Sequence, residues 1–266
     1  MTKSELYLLD ATGCLVKRGF ANADQVARMN GALDAALRGR SPAKFRNVLN
    51  LDPVFMDFLS HPWILETCEK LLTPFFRFDH AALRQQPSVS GDLENLHGGP
   101  VVDERLALYG QLAGQIFCTQ LAVGLALTPQ GGHLGGFTFL PGSHKSSFPL
   151  RGSEVWRDYF PHLNEEGLQC PSLAPGDLLV MPECLVHGST KWRGKHVRRV
   201  LYYFYVPGNL TWGPAEDSTA YSALARNETE RRLFCPPFSG RFSYDDARPG
   251  NEMRTPTIPD RTAAGK

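Results

Sequence analysis

Imidazole readily ligates transition metals and moves protons near neutral pH, and the 266-residue sequence carries eight histidines. Two of them have suggestive neighbours. His97 stands before a pair of glycines in ENLHGGP, and His187 stands before Gly188-Ser189 in PECLVHGST. Taken alone, a histidine in a glycine-rich loop is a solvated turn residue, and a histidine before Gly-Ser is a turn or a cap, so any metal chemistry must come from their wider context. His80 and His133 have no spacing that marks them as ligands. The cationic stretch KWRGKHVRR, with Trp192 in it, could meet an anionic substrate, although such a run more often forms a solvated face. Six cysteines are scattered without a C-x-x-C pair, which argues against a disulfide framework and against a thiolate zinc site.

These residues need elements to position them. Lys and Arg number 28 against 27 Asp and Glu, a formal net charge of +1, so no basic field is available to hold nucleic acid or an anionic membrane. The expected partner is a small molecule. The opening residues MTKSELYLLDATG lack the apolar stretch of a signal peptide, and no apolar run approaches the roughly 18 residues of a membrane span. A soluble, cytoplasmic protein with one domain over residues 1–266 is therefore expected. Its first part, to about residue 80, reads as helical. Asn22 or Asp24 can cap a helix in which Val26, Met29, Leu33 and Leu37 recur at helical spacing, and DPVFMDFLS and HPWILETCEKLL each place Pro at the start of an apolar run. From Ala81 to about residue 210 the pattern turns to strands: IFCTQLAVGLAL, GFTFLPG, GDLLVMP and RRVLYYFYVPG, separated by Gly, Pro and Asn turns. Residues 150–172, with Trp156, Tyr159 and Phe160, read as an insertion that could cover a pocket, and residues 211–266 as a C-terminal extension.

Two of these segments carry a family resemblance. GGFTFLPGSHKSSFPL, followed by LAPGDLLVMPECLVHGSTKWRGKHVRRVLYYFYVPG, resembles the phytanoyl-CoA dioxygenase family of iron(II)/2-oxoglutarate oxygenases, and the likeness extends loosely back to about residue 55. It implies a mainly β (α+β) fold: a double-stranded β-helix of the jelly-roll or cupin-like kind, with the N-terminal helices packed outside. It also implies iron(II), 2-oxoglutarate and dioxygen as cofactor and co-substrates, with the metal held by a His-x-Asp pair and a distal histidine. Two imidazoles and a carboxylate cover one face of octahedral iron and leave three positions for a 2-oxo acid and dioxygen. By resemblance the near ligand is His97 and the distal ligand is His187. The family anchors the far carboxylate of 2-oxoglutarate with an arginine eleven residues past the distal histidine, which is Arg198. Arg199 competes, but strand alternation puts Arg198 on one face with Val200, Tyr202, Phe204 and Val206, the set better suited to a barrel interior. Ser189 matches a hydroxyl that shares this contact, Gln86 and Gln120 could line the co-substrate pocket, and His144 matches a position that supports a loop.

The sequence departs from the family at Gly99, where His-x-Asp would place the aspartate. The position could be taken by an exogenous anion, as in the 2-oxoglutarate halogenases, whose His-x-Gly pattern this one resembles; chloride would then offset the charge that the missing carboxylate leaves. Asp103 or Glu104 could instead fold back, or water could fill the place and hydroxylation persist. The barrel could also be degenerate and bind a ligand without turnover. His97, His187 and Gly99 are thus the expected catalytic centre. The leading expectation is hydroxylation or a related oxidation of a small molecule, with a halogenase as the alternative and an inactive binding module third.

Overall fold

The computed structural model describes residues 1–38, 44–45, 48–86, 94–99, 107–112, 114–146, 167–213 and 221–237. Helix formation in the first part follows from capping and apolar spacing. Helix α1 (Lys3–Thr12) opens on a Thr2/Glu5 capping box, and α2 (Ala23–Leu37) on the corresponding box between Asn22 and Gln25. The four apolar positions anticipated in α2, Val26, Met29, Leu33 and Leu37, are all buried. Pro53 and Pro62 begin α3 (Pro53–Leu59) and α4 (Pro62–Leu71), where a missing N–H costs no helical hydrogen bond. No described helix is long and apolar enough to cross a membrane.

The strands are β1 (Leu15–Lys17), β2 (Lys44–Phe45), β3 (Phe76–Gln86), β4 (Glu94–His97), β5 (Tyr109–Leu112), β6 (Gln115–Cys118), β7 (Leu121–Ala126), β8 (Gly136–Phe139), β9 (Leu178–Pro182), β10 (His187–Thr190) and β11 (Arg198–Pro207). A six-stranded sheet runs β1-β9-β7-β11-β3-β2, a three-stranded sheet runs β4-β10-β8, and β5 and β6 form a hairpin. Every pairing is antiparallel. The arrangement is the expected double-stranded β-helix, with two corrections to the strand boundaries. Strand β3 begins at Phe76 rather than near Ala81, because the aromatic run after Pro74 pairs with the end of β11. IFCTQLAVGLAL is two strands, divided at Thr119-Gln120, where Thr119 turns to exchange hydrogen bonds with the backbone of Leu108. Residues 151–166 and 238–266, which hold Trp156, Tyr159, Phe160 and most of the extension, lie outside the described residues. A short helix α5 (Glu228–Leu233) closes the described part.

The two faces of β11 do different work. Leu201, Tyr203 and Tyr205 enter the larger hydrophobic core with α2, α3 and α4, and the two phenols donate to the carbonyls of Phe55 and Leu59 at 2.8 and 2.7 Å. Val200, Tyr202 and Phe204 point to the other side, into a second cluster with Ala82, Met181 and Phe137. The helices therefore pack outside the large sheet, while its inner face is left to line a cavity. Gly124 makes room there: a Cβ at this position would stand 2.7 Å from the Tyr202 ring. Because Leu33 of α2 is wholly buried in the larger core, Leu33→Ala should lower unfolding free energy by about 2–5 kcal/mol, the range for a leucine cavity. Denaturant titration checks this, and a loss below about 1 kcal/mol would mean that α2 is loosely packed.

Candidate active site

Strand β10 lies between β8 and β4, and its register sets His187 directly opposite His97. Their ring centroids are 4.2 Å apart, although the two residues are 90 positions apart in sequence. His187 is buried, and its Nδ1 stands 2.7 Å from the Leu185 carbonyl. A carbonyl can only accept, so Nδ1 carries the proton and Nε2 keeps its lone pair. Burial, the largest influence, pushes the His187 pKa down to about 4. At neutral pH the ring is therefore uncharged, the state that a metal ligand requires.

The loop after His97 is pressed onto the turn before His187. Gly98 and Gly99 have φ of 102° and 99°, a region that L side chains rarely adopt. A Cβ on Gly98 would meet the Leu185 carbonyl oxygen at 2.3 Å, and the Gly99 N–H donates to the Cys184 carbonyl at 2.8 Å. The turn itself closes through Leu185 N–H to the Pro182 carbonyl at 2.9 Å, and the Glu183 N–H donates to the Gln120 carbonyl at 3.1 Å. This clamp places a residue that sequence reasoning overlooked. The ligating atoms of His97, Glu183 and His187 all lie within 4.8 Å of one another, the one such cluster of three among the described residues. The available signal was an acid four residues ahead of the distal histidine, in ECLVH. Asp103 and Glu104 lie outside the described residues.

Arg198 lines the same cavity of about 250 Å³, with Ser189 and Gln86 beside it and Phe137, Tyr202 and Phe204 as its apolar walls. It is only 3% exposed. Its Nη1 donates to Gln86 Oε1 at 2.8 Å and lies 3.5 Å from Ser189 Oγ, and its Nε donates to Gln130 Oε1. All of these partners are neutral, and burial pushes the guanidinium pKa down. A buried cation whose described partners are neutral acceptors favours an anion beside it. Arg199 faces the other way, bonding Gln85, Asn30 and Asp34 and so tying the sheet to α2. Strand alternation separates the two arginines as the sequence suggested. Arg84 also lines the cavity and makes no side-chain hydrogen bond or ion pair among the described residues.

Residues 9–200 match the sequence profile of the phytanoyl-CoA dioxygenase (PhyH) family. The chain belongs to this family. Its members are iron(II)- and 2-oxoglutarate-dependent enzymes, and the cavity carries the donor types that both groups require. No curated relative matches the sequence. Among solved structures, HygX from Streptomyces hygroscopicus, with nickel and 2-oxoglutarate bound, has a TM-score of 0.69 at 21% identity over 83% of this chain and 93% of its own. EctD from S. alaskensis, with 2-oxoglutarate and 5-hydroxyectoine, has a TM-score of 0.61 at 16% identity over 78% and 76%. The epimerase SnoN from nogalamycin biosynthesis has a TM-score of 0.58 at 16% identity over 78% and 81%. At these identities the likeness concerns the fold.

Other candidate residues fall elsewhere. Gln120 is buried and does not line the cavity among its described walls; Gln86 does, and the contribution of Gln120 is the carbonyl that holds Glu183. Trp192 lies on no solvated face: it is fully buried, with its indole N–H donating to the His196 carbonyl at 3.0 Å. His144 supports a loop, as expected. Its Nε2 bonds the Asp10 carbonyl at 3.1 Å, and burial lowers its pKa to about 4. His80 pairs with Asp79 at 2.6 Å and stacks on Phe204.

The depressed histidines predict a pH dependence. An unfolded histidine titrates near 6.5, whereas folded His187 titrates near 4, so the unfolded chain takes up the proton first as pH falls. The stability that this group contributes is complete above about pH 6.5, declines toward pH 4 and is gone below it, a difference of about 3 kcal/mol. His144 acts in the same direction. Urea titrations of metal-free protein between about pH 7 and pH 4 should show this decline, and His187→Gln should flatten it. An unchanged slope in the variant would contradict the neutral, buried state of His187.

Proposed function

We propose that this enzyme uses iron(II), 2-oxoglutarate and dioxygen to hydroxylate, or otherwise oxidise at C–H, a small-molecule substrate. The observation that carries this reading is the sharing of one cavity by two opposed histidines and a buried arginine whose partners among the described residues are neutral. His97 and His187 would hold the metal and Arg198 the far carboxylate of 2-oxoglutarate, with Ser189 and Gln86 fixing the plane of the guanidinium. When bound, the metal and the 2-oxo acid supply the oxidising power, and the 2-oxo acid leaves as succinate and carbon dioxide. The chain's own work is to hold the dicarboxylate in one orientation, to keep His187 unprotonated and to exclude water with Phe137, Tyr202 and Phe204.

The range of chemistry in this fold is wide. HygX has been solved with hygromycin B, EctD with 5-hydroxyectoine, and SnoN is an epimerase. These support a small-molecule substrate without choosing one. The halogenase alternative, with chloride beside the metal, rests on the absence of a side chain at Gly99. The nearby carboxylate of Glu183 weighs against it. An inactive binding module would form no succinate.

Protein loaded anaerobically with iron(II) and 2-oxoglutarate should form succinate on admission of air. Removing one partner of a buried charge pair costs about 2–5 kcal/mol, so Arg198→Ala should raise the KM for 2-oxoglutarate by about 30-fold or more. Arg199→Ala should change it less than about threefold while lowering stability. The reverse order would mean that β11 presents its other face to the co-substrate.

A further inference from the structure

We propose that Glu183 is the third protein ligand of the metal, replacing the carboxylate that the family places two residues after the near histidine. This rests on the iron reading above and deepens it. The acid thus comes from the turn that leads into β10, and the ligand pattern is Glu-x-x-x-His on one segment with a lone histidine on the other, instead of His-x-Asp and a lone histidine.

Three observations converge on this assignment. First, the ligating atoms of His97, Glu183 and His187 already lie within 4.8 Å of one another. Neighbouring ligands at right angles around an ion, with bonds of about 2.1 Å, stand about 3.0 Å apart. Closing that difference is left to side-chain rotation, since the backbone on either side is held by the Gln120 and Cys184 carbonyls. Second, that fixing is specific to Glu183. Its N–H is held by the Gln120 carbonyl, the Pro182–Leu185 turn closes on itself, and the Gly99 N–H holds the Cys184 carbonyl. The two positive-φ glycines let the loop after His97 approach this turn, since a Cβ at Gly98 would collide with it. The same φ explains why an aspartate is absent at 99: the chain there takes a path that aspartate disfavours. Third, the charges come closer to balance. With Glu183, a divalent metal, a dianionic 2-oxoglutarate and Arg198 add up to neutrality, with exposed Arg84 as the remaining cation of the cavity lining; without Glu183 one further positive charge is left over.

The proposal makes Gly99 a hinge for the clamp rather than a halide seat, and it predicts oxygen transfer rather than halogen transfer. The test is titration of the metal-free chain with Mn(II), without co-substrate and in chloride-free buffer. Glu183→Gln should weaken binding more than about 100-fold, beyond the loss caused by disturbing an outer-shell partner. Asp103→Asn should leave binding within about threefold. Wild-type affinity should not rise when chloride is added, whereas added formate should recover part of the affinity of Glu183→Ala. Unchanged affinity in Glu183→Gln, a large loss in Asp103→Asn, or wild-type binding that strengthens tenfold with chloride would each overturn the assignment. His187→Ala keeps the two readings apart: if it abolishes binding while Glu183→Gln does not, the iron site stands and only the role of Glu183 fails. Should the Glu183 variants not fold, wild-type protein labelled with ¹³C-glutamate decides. A strong ¹³C hyperfine coupling to bound Mn(II) supports the proposal, and coupling from ¹³C-aspartate instead overturns it.

Discussion

The site depends on one constraint, the lateral pairing of β10 with β4. A β-ladder fixes which residues stand opposite each other, and a slip of one residue would turn every side chain to the other face. Here the register puts His187 against His97 at the mouth of the inner face. β10 is itself held on its other side by β8, through four register pairs from Phe139 to Gly136. The histidine pair is therefore a property of sheet topology rather than of a local motif. The same pairing brings the loop after His97 onto the turn before His187, and with it comes Glu183.

The large sheet works as a partition. Its outer face is bound to the helices by Leu201, Tyr203, Tyr205 and the Arg199 network; its inner face carries Val200, Tyr202, Phe204 and Arg198. Adjacent arginines on one strand thus have opposite fates. Arg199 finds the carboxylate of Asp34 and ties sheet to helix, whereas Arg198 is buried among neutral amides and a hydroxyl. Burying a cation without a countercharge among the described residues costs stability unless something anionic binds there. The partners described for Arg198 are Gln86, Gln130 and Ser189, which supply no negative charge, and this is the basis of the role proposed for it.

What was legible in the sequence was local and periodic. The apolar spacing of α2, the prolines opening α3 and α4, and the alternation along β11 each report a constraint that acts within a few residues, and each appears in the structure. The two histidines and Arg198 were legible through a family likeness whose order and spacing survive in this chain. Other features were legible only in part. Glu183 is held beside the histidines by its own N–H, which donates to the Gln120 carbonyl, and by the Gly99 N–H, which donates to the carbonyl of neighbouring Cys184; both partners are distant in sequence, and the acid in ECLVH was the one local sign of it. Gln86, one of two glutamines that the sequence offered for the pocket, stands by Arg198 because β3 pairs with β11 in a register that places the two opposite each other; Gln120 is outside the described lining of the cavity, and its carbonyl accepts from the Glu183 N–H. Trp192 sits in a cationic run, yet folding buries its ring, which packs edge-on against His196 and closely under Gly194. Gly99 was read as the place of a missing carboxylate, and the structure adds its positive φ and its hydrogen bond to the Cys184 carbonyl.

The central claim is that this fold keeps a complete protein ligand set while moving its acid from one strand end to a turn on the neighbouring strand. A crystal structure grown anaerobically with Mn(II), 2-oxoglutarate and chloride tests it most directly. The account predicts His97, His187 and a Glu183 carboxylate oxygen bound to the metal, the oxygen at about 2.0–2.2 Å, with the far carboxylate of 2-oxoglutarate on Arg198. Chloride, water or another acid in that coordination position, with Glu183 turned away, would contradict it.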